Sequence, residues 1–157
     1  MEEQTQKAAS TAEKVENDTP RLLRECSAGI RMGVDALDQI LPKVESPKLR
    51  TLLQEVKADH TALEKQVQQE LKQGGWEDKA PSGMAQSMAR LKTDFKLLAD
   101  HSDNTVADLL TDGGHMGIKS LSRYRNQYVN AAPQARSLAA DVIALEERMT
   151  QSLREYL

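Results

Sequence analysis

Four stretches of this 157-residue chain repeat apolar residues every three or four positions, and a proline stands at the head of three of them. That pattern admits little besides long amphipathic helices packed side by side. A proline in the first turn has no N–H to waste and its backbone is already set for helix, so Thr19-Pro20 and Ser46-Pro47 read as start signals. After the first come Leu22, Leu23, Cys26, Ile30, Val34, Leu37 and Leu41, ending at Pro42. After the second come Leu49, Leu52, Leu53, Val56, His60, Leu63, Val67 and Leu71, ending at Gly74-Gly75. At 1.5 Å per residue these predict helices of about 33 and 40 Å, and the short link makes them antiparallel neighbours. A third helix is predicted over about 104–129, with Val106, Leu110, Gly113, Gly117, Leu121, Tyr124 and Tyr128 on one face. A fourth begins near Pro133 and carries Leu138, Val142, Leu145, Met149 and Tyr156. Aromatic residues are only 3% of the chain, too few for a typical sandwich core, which again favours a helical bundle.

The two hairpins are separated by residues 74–103, far longer than the usual bundle connection of about 2–8 residues. Met84, Met88, Leu91, Phe95 and Leu98 form a stripe of their own after Pro81-Ser82, so this connection is expected to be a packed crossover helix. A crossover that travels the length of the bundle makes the second and third helices parallel, giving an up-down-down-up four-helix bundle. Residues 1–18 are polar and aperiodic and are expected to form a disordered tail, leaving 19–157 as one domain. Trp76, beside a diglycine, is expected to plug the end of the bundle.

The segments ESPKLRTLLQEVKADHTALEKQVQQEL (45–71), SGMAQSMARLKTDFKLLAD (82–100) and SLSRYRNQY (120–128) resemble the ferritin-like four-helix-bundle superfamily, in particular a small bacterial branch of domains of unknown function. The resemblance spans about 20–157 and implies a bundle with one long crossover. Di-iron members need a glutamate from each of two helices and Glu-x-x-His from the other two. In this chain those positions fall on Lys57-x-x-His60, on Glu146-x-x-Met149, near Arg31 and near Gly117. Most anionic ligands are therefore replaced, two of them by cations, and the resemblance implies the fold without the metal chemistry.

Among single residues, His60 stands in the middle of an apolar stripe, where a histidine is more often a hydrogen-bonded core residue than a ligand, with Asp59 as its obvious partner. The alternative is a metal site built from His60, Asp59, Glu146 and Glu25. Gly29 and Gly33 form a G-x-x-x-G in the first helix, and Gly113 and Gly117 another in the third. An interior glycine costs about 1 kcal/mol against alanine, so something compensates: close packing, or a cleft. Gly117 is expected to be the tight position and Gly114 to face the flank. His115 points away from the stripe, and His101 carries no assigned chemistry. Cys26, the single cysteine, reads as a small core residue.

A net charge of −3, with basic and acidic residues interspersed, gives no footprint for nucleic acid or an anionic membrane. There is no secretory signal or membrane span in the pattern, so a cytoplasmic location is expected. Phosphate-loop and nucleophile arrangements are missing. The sequence thus points to a non-enzymatic bundle without cofactor, with a structural, stress-related or protein-interaction role, expected as a homodimer. The competing class is a metal-binding or oxidase bundle with an incomplete site.

Overall fold

The computed structural model describes the backbone of residues 2–81 and 99–157 and the side chains of 18–81 and 99–157. Among these residues there are four α-helices and no strand: α1 (Glu2–Ile40), α2 (Pro47–Gln73), α3 (Asp103–Gln127) and α4 (Pro133–Leu153). Short 3-10 turns follow α1 at Leu41–Lys43 and α4 at Arg154–Tyr156. The crossover stripe of Met84, Met88, Leu91, Phe95 and Leu98 lies outside the described residues.

The first helix does not start at Thr19-Pro20. It runs back through Pro20 to Glu2, forgoing one backbone hydrogen bond at the proline. Thr19, expected to cap it, and Asp18 beside it serve another helix pair instead. Thr19 Oγ1 accepts the Ala132 amide at 2.8 Å, and the Asp18 carboxylate accepts the Asn130 amide at 3.1 Å. They therefore hold the α3–α4 turn against α1.

The other boundaries follow local chemistry. Ser46 accepts from the Leu49 amide at the start of α2, and Ser102 from the Thr105 amide at the start of α3. At the end of α2, Gly74 is demanded by close approach, since a Cβ there would sit 2.1 Å from the Trp76 ring; Gly75 takes a φ of +70°. Trp76 folds back onto the core beside α2. At the α3–α4 corner, Arg136 donates to the carbonyls of Arg125 and Tyr128, satisfying acceptors that the end of α3 leaves free, and Arg125 donates back to the Arg136 carbonyl.

Two apolar clusters fill the interior. One joins Leu37 and Ile40 of α1, Leu49 and Leu53 of α2, Val106 and Leu110 of α3, and Leu153 of α4. The other joins Leu22, Cys26 and Ile30 of α1, Val67 and Leu71 of α2, Leu121 of α3, and Leu138 and Val142 of α4. Cys26 is fully buried, and burial pushes its thiol up to about 12, so it stays a protonated core residue. Packing is most extensive within the α1–α2 and α3–α4 pairs and lightest, among neighbours, between α1 and α3. After α2 the chain turns onto α1, where Arg24 donates to the Glu77 carbonyl and Arg31 pairs with Asp78 at 2.5 Å.

Candidate ligand cleft

Midway between the two clusters lies a polar layer. His60 of α2 is 1% exposed and Glu146 of α4 is 7% exposed. The imidazole is fixed at both ends: Nδ1 lies 2.7 Å from the Val56 carbonyl one turn back, and Nε2 lies 2.6 Å from Glu146 Oε1. A carbonyl only accepts, so Nδ1 carries a proton and donates it. A second proton is shared between Nε2 and the Glu146 carboxyl. Burial pulls the imidazolium down, but the hydrogen bond and charge of Glu146, aided by the Val56 carbonyl and Asp59, outweigh it and leave the His60 pKa raised. The pair is thus held by a charge-assisted hydrogen bond, a bolt between α2 and α4. Asp59, expected as the partner, is exposed on α2 and reaches His60 only as a nearby charge. The reason is geometric: Asp59 lies about 100° around the helix from His60, whereas α4 faces the imidazole directly.

The glycines surround this bolt. A Cβ on Gly33 of α1 would come within 2.9 Å of His60 Nε2, so that glycine is what admits the imidazole. On α3 the tight position is Gly114, where a Cβ would meet Thr150 Cγ2 at 2.6 Å and Met149 Cε at 2.9 Å. Gly117, expected to be tight, would bring its Cβ no nearer than 3.7 Å to Glu146 Cγ, an ordinary contact, and a Cβ on Gly113 would meet nothing within 4 Å among the described residues. The assignment of tight and open positions on α3 is therefore reversed, because α4 approaches from the Gly114 side. Gly29 would meet only Leu121 Cδ1, at 3.9 Å.

What these open glycines leave is a cleft of about 180 Å³ along the α1–α3 seam. Gly29 and Gly33 form one wall and Gly113, Gly114 and Gly117 the other, with His60, Glu146 and Met149 as floor. Met32, Leu110 and Met116 add apolar surface, and Glu25 and Tyr124 line it as well. Burial lifts the Glu25 carboxyl to about 7.

Of the positions matched to di-iron ligands, two do not face the cleft. Arg31 is half exposed and pairs with Glu64 at 3.2 Å and with Asp78, and Lys57 pairs with Asp38. They belong to the outer α1–α2 surface. Gly117 and Met149 do line the cleft. His60, Glu146 and Glu25 share it too, but among the described residues no group of three or more His, Cys, Asp or Glu is placed to hold a metal ion. Both imidazole nitrogens of His60 are already engaged, leaving no lone pair for coordination, so the residues present do not fit a di-iron group. His115 is exposed, and His101 is partly buried near the start of α3.

Comparison with protein-family models, curated proteins and solved structures finds no match to this chain. The cleft therefore stands on its own geometry. The glycine spacings signalled it in the sequence, and the match to ligand positions set His60 and Glu146 in one site; that they bind each other directly, 86 residues apart, rather than His60 binding Asp59, was not legible.

Proposed function

We propose that this chain is a non-enzymatic ferritin-like bundle, of up-down-down-up order, whose working part is the α1–α3 cleft acting as a small-ligand site. Support for the order comes from the cores: the C-terminal ends of α1 and α4 share one cluster with the N-terminal ends of α2 and α3. The observation that carries the ligand role is the cleft itself, of about 180 Å³, lined largely by apolar side chains with a few polar groups. An engineered apolar cavity of roughly 150 Å³ suffices to bind benzene, so the space suits a small molecule. The proposed setting is a cytoplasmic homodimer. Met116, 58% exposed at the cleft, supports an apolar surface available for burial. Among the described residues no helix is long and apolar enough to cross a membrane.

Toluene titrated during thermal melting tests the ligand role: binding to the folded state raises the melting temperature by mass action. Gly113→Leu, which fills open space, is expected to abolish that rise. An unchanged melting temperature in toluene would contradict the proposal. The second reading, an atypical metal site, rests on Glu25, His60 and Glu146 lining one cleft. Protein purified without chelator is expected to carry only substoichiometric iron, manganese or zinc. Stoichiometric metal lost in His60→Ala would favour that second reading instead.

A further inference from the structure

The cleft has two unlike ends. Glu25 and Tyr124 line it, and farther along α1 come Met32 and Ala36, with Leu110 and Met149 on the other helices. From Glu25 to Ala36 is about 16 Å of helix, so one end is polar and aromatic and the other is aliphatic and thioether.

The acidic groups are not equivalent. Glu146 is committed to His60, and that buried pair has no net charge. Glu25 has no hydrogen bond or ion pair among the described residues. Of the basic residues near it along α1, Arg24 donates to the Glu77 carbonyl, Arg31 donates to Glu64 and Asp78, and Arg21, one turn before Glu25, is exposed. Loss of water moves the Glu25 carboxyl upward, and no cation among the described residues offsets it. A half-buried carboxylate left uncompensated at the mouth of an apolar cleft is costly, and a cation beside it removes the cost. The ring of Tyr124 lines the same cleft, and an aromatic face attracts ammonium groups.

We propose that the cleft takes a small organic cation: an ammonium group at Glu25 and Tyr124, carried on an apolar body of about eight to ten non-hydrogen atoms lying against Gly113, Leu110 and Met149. This rests on the cleft being a ligand site. Glu25 is the residue that selects charge, and the glycines make the room.

Isothermal titration of the full chain with three probes of nearly one shape tests it: octylammonium, octanol and octanoate, whose eight-carbon chains are long enough to run from Glu25 toward Gly113, at about pH 8 so that the carboxyl is ionised. Octylammonium is expected to bind at least about tenfold more tightly than octanol, and octanoate to give no binding. Glu25→Gln is expected to bring octylammonium down to the level of the alcohol while leaving the alcohol unchanged. Gly113→Leu, with circular dichroism and melting showing an intact fold, is expected to abolish binding of both. Equal affinity for ammonium and alcohol, an unchanged preference in Glu25→Gln, or tighter binding of octanoate would overturn the cation assignment while leaving the cleft as a ligand site. No binding of any probe, or binding that survives Gly113→Leu, would overturn the cleft itself.

Discussion

A buried histidine and a buried glutamate that hold each other make a pair whose halves are worth little alone. Removing one partner strands the other as an uncompensated buried group, typically at a cost of 3–5 kcal/mol. His60→Leu is therefore expected to destabilise the protein by about 3 kcal/mol in urea denaturation, whereas the double variant with Glu146→Leu recovers most of the loss. A single variant as stable as the parent would mean that the bolt does not exist. The glycines give a second residue-scale test. At Gly114 the added methyl meets Thr150, a stiff β-branched side chain whose hydroxyl donates to the Glu147 carbonyl at 2.9 Å, so it has nowhere to turn without losing that bond. Overpacking of about 1–3 kcal/mol outweighs the gain of about 1 kcal/mol in helix propensity. Gly114→Ala is thus expected to lower the melting temperature, and Gly113→Ala and Gly117→Ala to raise it. The opposite ranking in paired melts would show that α4 does not approach α3 where the structure has it.

At the scale of the element, three of the four helices could be read closely from stripes and caps. Ser46-Pro47 starts α2 and Gly74-Gly75 ends it, while Pro133 opens α4, because these signals act within a few residues of themselves. Thr19-Pro20 looks the same in sequence and does something else. Its hydroxyl satisfies an amide 113 positions away, and nothing local distinguishes that use from a helix cap. The cleft was half legible for the same reason. Gly29, Gly33, Gly113 and Gly117 flag missing side chains, but which glycine is tight depends on where another helix lies, as does the choice of Glu146 over Asp59 for His60. Thr19→Val, which leaves the Ala132 amide without its acceptor, is expected to cost about 1 kcal/mol in urea denaturation. A loss near zero would mean that water serves the amide equally well.

For the whole molecule, the titrating groups of the cleft with raised pKa values, Glu25, His60 and Tyr124, push stability the same way, each favouring the folded state when protonated. His60 has its pKa raised, so its contribution is complete below the ordinary imidazole value and is lost as pH rises through the folded value. Glu25 is raised from 4.5 to about 7, so the folded state favours its protonated form and loses stability as pH climbs across that window. Melting curves across that range are therefore expected to show the parent losing ground to Glu25→Gln as pH rises. Parallel curves would remove Glu25 from the cleft's half-buried rim. The central claim, that the α1–α3 seam is a built site for a small ligand, is tested most directly by methionine methyl NMR, because Met32, Met116 and Met149 all line the cleft. On titration with octylammonium those three signals are expected to shift together along one saturating curve, and to stay still in Gly113→Leu. Cleft methionines that do not move while the probe binds, or that move equally in Gly113→Leu, would contradict it.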